Sequence, residues 1–252
     1  MSLRDDMLAL ERVRRRPQDL EREAAAHPTL RDLDPARLRA VSRSFARHVL
    51  GRWWQPRFGA TFAQVADPGA LAEALIADDG FERAVGEDET AGVLIKGLLD
   101  LRAKGTLEAP EWLEDLLTYE YLLEVGLPHR AQGLPLDAEA EARLFAERVR
   151  WFEGGRLALP LAIGQFAVDV IALREGETPR EGCPPLAFGY DDEGALEVGL
   201  SYEAADALEL YAGGASDAVI DEAFGEDGPE LRAVLFELGF VQRSVSGRLP
   251  EV

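Results

Sequence analysis

The chain has 252 residues, 47% of them apolar, enough to bury one large core or two modest ones. Its 47 Asp and Glu against 27 Lys and Arg give a net charge of −20, a sign that repels phosphate chains and argues against nucleic acid as a partner for the bulk of the molecule. No apolar run reaches the roughly eighteen residues that span a bilayer, the opening Arg4, Asp5 and Asp6 lack a signal-peptide core, and the lone Cys183 excludes an internal disulfide, so a cytoplasmic protein away from membranes is expected.

Charge is unevenly placed along the chain. Residues 1–60 carry thirteen arginines against eight carboxylates, whereas residues 61–252 carry fourteen basic against thirty-nine acidic side chains. Residues 1–34 read as a charged helical arm, with apolar positions Leu8, Val13 and Leu20 and a break at Pro17. Asp34 and Pro35 then open a stronger helix in which Leu38, Val41, Phe45, Val49 and Leu50 recur at three- and four-residue steps, with Arg39, Arg43 and Arg47 on the opposite side. Trp53, Trp54, Phe58 and Phe62 follow around Pro56 and are expected in the core, since large aromatics dominate interiors.

Asp67 and Pro68 open another helix, and a further apolar segment from Ala91 follows the acidic stretch Glu87, Asp88 and Glu89. Pro110 precedes the most regular helix of the chain, in which Leu113, Leu116, Leu117 and Glu120 share one side. A carboxylate on that side needs a partner, and an ion pair between Glu120 and a buried Arg43 is the expectation; a general acid or base at Glu120 with Glu124 is the alternative.

Residues 126–136, rich in Pro and Gly, read as a loop, residues 139–151 as a helix stopped by Gly154 and Gly155, and residues 156–163 and 165–171 as short apolar strands. Residues 174–185 read as a linker. Beyond it, residues 186–190 and 195–200 flank a turn signal and form a hairpin. Ser201, Ser216 and Pro229 open three short helices ahead of a last strand near residue 240. The predicted fold is therefore α+β, mainly α: a helical domain over residues 35–174 and a small winged-helix-like domain over residues 185–252. That last domain holds fifteen acidic and three basic residues, which points to a protein or peptide partner instead of DNA.

Recognisable chemistry is sparse. His27, His48 and His129 form no metal-ligand pair, and Cys183 has no neighbouring His or Lys in sequence to activate it, so neither a metal site nor a cofactor nor a catalytic residue is expected. Aromatics beside Arg39, Arg43 and Arg47 leave a DNA-binding regulator as the alternative reading.

Ala40, Val41, Ser42 and Arg43, the aromatics Trp53, Trp54 and Phe58, and the helix from Trp112 through Asp115, Leu116 and Glu120 resemble a bacterial family named as a DNA-binding domain. Its HvfC-like and MbnC-like relatives are accessory partners of multinuclear non-haem iron oxidative enzymes that modify ribosomally made peptides. The resemblance covers most of residues 38–240, with Ser42 where the family has Tyr. It implies a non-catalytic adaptor that docks on an iron-dependent barrel enzyme and helps present a peptide. On that reading the peptide would contact Leu196, Val198 and Leu200 on the hairpin and Leu231, Leu235 and Leu238 on the third helix.

Overall fold

The computed structural model describes residues 3–15, 19–77, 90–134, 136, 138–191 and 194–242. The break expected at Pro17 and the acidic stretch Glu87, Asp88 and Glu89 lie outside the described residues. Among the described residues the fold is mainly helical with one antiparallel sheet of four strands. It divides into two compact units: Met1–Glu120 with Leu136–Leu144, and Tyr121–Pro135 with Phe145–Val252.

In chain order the helices are α1 (Leu3–Arg15), α2 (Leu20–Ala26), α3 (Pro35–Val49), α4 (Gln55–Arg57), α5 (Gly59–Ala63), α6 (Pro68–Ala77), α7 (Thr90–Ala103) and α8 (Leu113–Tyr121). They continue with α9 (Leu127–Ala131), α10 (Ala138–Phe145), α11 (Val170–Arg174), α12 (Tyr202–Ala212), α13 (Asp217–Phe224) and α14 (Gly228–Glu237). The strands are β1 (Val149–Phe152), β2 (Leu161–Gly164), β3 (Leu186–Asp191) and β4 (Gly194–Gly199).

In the first unit, α3 starts where its sequence says it should. Asp34 accepts the N–H of Ala36 at 2.9 Å and Pro35 fills the first turn. Its buried side differs from the expected one. Leu38, Ser42 and Ala46 face inward and Leu50 follows, while Val41 is 48% and Phe45 38% exposed. The small side chains of Ser42 and Ala46 let α3 seat closely, and Leu38 joins Ala9, Val13, Leu20 and Leu30 in one cluster. Leu8, expected inside, is 51% exposed because α1 turns Ala9 and Val13 inward instead. After a π-helical turn at Leu50–Trp54, Phe58 and Phe62 enter the core as expected, but Trp53 does not. The Arg57 guanidinium lies 5.5 Å from the Trp53 ring and 5.9 Å from that of Trp54, a cation–π stack over the aromatic face.

In the second unit the sheet is a plain meander, order β1-β2-β3-β4, every neighbour antiparallel. The hairpin and the three helices after it stand where the sequence puts them. Ser201 accepts the Ala204 N–H at 3.1 Å at the start of α12, and Pro229 sits in the first turn of α14. Val241 closes the unit through a single bridge to Leu157. One cluster runs through it, with Leu161, Ile163, Ala187, Leu200, Leu208, Tyr211, Ile220, Leu235 and Phe240 buried together.

Three expectations change here. The helix predicted over residues 139–151 ends at Phe145, and Val149–Phe152 becomes β1, because its pairing partner β2 lies beyond the Gly154–Gly155 turn and outranks local helical preference. Residues 126–136, read as a loop, hold α9, which continues from a π-helical turn at Leu122–Gly126 and carries Pro128 in its first turn. Residues 165–171 contribute one bridge, Val168 to Glu181, and then α11, capped by Asp169 accepting from Ala172 at 3.1 Å. That bridge, with Asp169 N–H to Arg180 and Gly182 N–H to Ala167, ties residues 174–185 into the second unit, so this stretch is a packed crossing between β2 and β3 and the units part elsewhere.

Candidate interaction surfaces

Among the described residues the sheet has two edge strands, β1 and β4, and β4 is the one the sequence marked as a hairpin strand. The N–H of Leu200 donates to Pro185 at 2.8 Å, which fixes the parity of the β3–β4 ladder: Leu196 and Val198 turn their main-chain groups toward β3, and Ala195 and Gly199 turn theirs away from it. The side chains named from the sequence divide accordingly. Leu200 and Leu235 are buried, and Val198, Leu231 and Leu238 pack partly buried against the same core. Each fully buried leucine contributes about 1.5–3 kcal/mol to the fold, so these residues hold the unit together first. Leu196 alone of the six is half-buried outside that cluster. Sequence reasoning missed Ala195 and Gly199, because an outward main-chain group has no side-chain signature; the available signal was that β4 ends the sheet and runs straight into a capped helix.

The second unit carries twenty-two acidic and nine basic side chains. Asp191, Glu203, Asp206 and Glu209 are exposed, and Glu203 is held below the usual carboxylate range by its own backbone N–H and the Ser201 hydroxyl, so it stays charged. Two arginines that could offset this charge are turned inward. Arg156 pairs with Asp217, donates to the Gln242 carbonyl at 2.9 Å, and stacks 5.1 Å from the Tyr211 ring. Arg232, the one basic residue of α14, binds Asp221 at 2.7 Å and lies 3.8 Å from Asp217. Gly155 makes room for this knot. At φ +60° its absent Cβ would sit 2.4 Å from the Tyr211 and Ala212 carbonyls, and Arg156 N–H reaches the Tyr211 carbonyl at 3.0 Å. Burial pushes Asp217 up, but the Arg156 and Tyr211 hydrogen bonds and the charges of Arg156 and Arg232 outweigh it and leave the carboxyl below its ordinary value. Tyr211, buried and donating to Asp217 at 3.1 Å, is pushed up to about 12.

In the first unit Arg39, Arg43 and Arg47 are all exposed. Arg47 is engaged already, gripping Glu73 of α6 with two bonds of 2.7 and 2.8 Å, and Arg43 adds to the field that lowers the Glu73 carboxyl. Glu120 is buried, as expected, and its partners correct the expected pair with Arg43: it accepts the N–H of Ala60 at 3.0 Å and of Thr61 at 2.9 Å, the first turn of α5. Arg43 is on the exposed side of α3, and Glu124 faces Arg174 at 3.7 Å. A cleft of about 380 Å3 opens between Leu99, Arg102, Ala103, Glu114 and Arg143. Its two guanidiniums are matched by Glu114 at 2.5 Å and Asp100 at 2.9 Å, so it is close to neutral.

His27 contacts Asp6 at 2.9 Å and Cys183 is buried. Among the described residues no three His, Cys, Asp or Glu side chains are grouped to hold a metal ion, and no helix is long and apolar enough to cross a membrane. No protein-family model, no curated protein and no solved structure matches the chain.

Proposed function

We propose that this protein is a non-catalytic adaptor whose second unit takes a basic, extended peptide along β4 and presents it to a partner enzyme, of the iron-dependent class that the motif resemblance implies. The observation that carries the reading is an edge strand with outward main-chain groups at Ala195 and Gly199 in a unit of net charge −13. A peptide added to such an edge gains main-chain hydrogen bonds, and an acidic surround favours lysine and arginine and speeds their capture. The hairpin followed by α12, α13 and α14 is what we read as winged-helix kinship, with an acidic outer side in place of the basic one that DNA needs. A regulator holding duplex DNA through Arg39, Arg43 and Arg47 fits less well, since Arg47 is already neutralised by Glu73.

Ala195→Pro tests the edge. It removes one outward N–H while leaving the β3 ladder intact, and proline is tolerated on edge strands for that reason. Anisotropy of a labelled extended peptide alternating Lys with apolar residues is expected to show binding that weakens with salt and drops about tenfold in the variant, the equivalent of about 1.4 kcal/mol. A Glu-containing counterpart should not bind. Equal affinity for wild type and variant, with unchanged circular dichroism, would overturn the edge assignment.

A further inference from the structure

The exposed side of α3 pairs apolar and cationic groups in a way the arginine stripe does not. At four-residue steps Arg37, Val41 and Phe45 lie along one side, and the π-helical turn carries Arg52 and Trp53 onto the same side. All five are exposed, Trp53 by 52% and Val41 by 48%, and neither Arg37 nor Arg52 has an ion-pair partner among the described residues. Exposed Val41 and Trp53 beside guanidiniums with no ion pair among the described residues have the anatomy of an interface, where aromatic and Arg anchors carry the energy.

The same chain holds a surface of opposite sign that also exposes apolar side chains. On α12, Tyr202, Asp206, Glu209 and Leu210 fall within one side of the helix with Glu203 at its margin, while Ala204, Ala205, Ala207, Leu208 and Tyr211 face the core. Tyr202 is 62% and Leu210 37% exposed. Glu209 is taken by Arg150 at 2.6 Å, but Asp206 has no ion-pair partner among the described residues and Glu203 stays ionised. We propose that the Arg37–Val41–Phe45–Arg52–Trp53 side of α3 receives α12 of a second copy of this chain: Arg37 and Arg52 meet Asp206 and Glu203, and the apolar residues of the two helices cover one another. The occupant is chosen by charge and by apolar content together. An oligonucleotide would satisfy the arginines and aromatics but leave Val41 uncovered, whereas α12 supplies both carboxylates and apolar area. The contact is between unlike surfaces, so it operates between copies without requiring the peptide edge of β4.

Sedimentation velocity of the full chain across a concentration series tests it. At low ionic strength we expect species heavier than the monomer that dissociate when NaCl is raised to about 0.5 M, where charges are screened within a few ångströms. Arg37→Glu with Arg52→Glu should give monomer under all conditions, as should Asp206→Arg; mixing the two variants should restore a heavier species, a rescue that neither misfolding nor a general charge effect produces. A wild type that stays monomeric at low salt overturns the proposal, as does association indifferent to the reversals or a mixture that fails to reassociate. Retardation of an oligonucleotide that is lost in the double Arg variant would assign this face to nucleic acid and overturn it equally.

Discussion

A carboxylate in the interior has to find donors, and Glu120 finds them in backbone. Its two oxygens take the first N–H groups of α5, donors that a helix this short cannot satisfy itself. Glu120→Gln keeps the shape but offers one acceptor oxygen and turns an NH2 toward a remaining N–H, so a loss on the order of 1–2 kcal/mol is expected, read as a lower urea midpoint at unchanged slope. An unchanged midpoint would mean that Ala60 and Thr61 carry little of the burden. The sequence located this carboxylate correctly, because period and apolar neighbours determine burial, but it supplied Arg43 as partner. Main-chain donors are invisible in the letters, and pairing by side-chain charge was the only rule available. The same limit hid the buried side of α3, where Ser42 and Ala46 win the inward positions over Val41 and Phe45 by being small.

Elements defined by local signals were legible, and elements defined by distant partners were not. The β3–β4 hairpin, the Ser201 cap and Pro229 rest on turns and caps within a few residues, and all three stand as read. By contrast β1 exists because β2 pairs with it from the far side of a glycine turn, and residues 174–185 are held by bonds to residues 167–169 that no linker composition reveals. The knot at the end of α12 belongs to this second kind, joining Arg156, Tyr211, Asp217, Arg232 and Gln242 from four places in the chain. It also gives this unit a pH signature. Tyr211 loses its proton less readily folded, at about 12, than unfolded, at its ordinary value of 10.0, so its contribution is fully present below pH 10 and is lost as pH rises from there through 12. Asp217 has the opposite sense: its depressed folded value makes its contribution present above its ordinary 3.8 and lost as pH falls through the folded value. Tyr211→Phe should therefore flatten the alkaline limb of stability between pH 10 and 12 relative to wild type, measured by urea unfolding at each pH, while the acid limb persists. An alkaline limb identical in the two proteins would show that Tyr211 is not the group responsible.

At the scale of the whole molecule the question is which electrostatic effect wins. The ion pairs on the surface, such as Arg47–Glu73, Arg12–Glu23 and Arg150–Glu209, each hold a solvent-exposed arginine, so they contribute little and salt weakens them. Opposing them is the self-repulsion of a chain of net charge −20, of which −13 sits on the second unit with two of its arginines turned inward. Screening falls mainly on the many like-charge repulsions that act over more than a Debye length and least on pairs in contact, so relief of repulsion should dominate. Raising NaCl from about 0.02 M to about 0.3 M is then expected to raise Tm, with each 1 kcal/mol of relief worth about 2–4 °C in a protein of this size. The scan belongs at a protein concentration low enough to keep the chain monomeric, so that dissociation of copies does not enter. A Tm that falls with salt would place the balance on the pairs, and would also weaken the case that an uncompensated acidic surface is what the second unit offers to a basic partner.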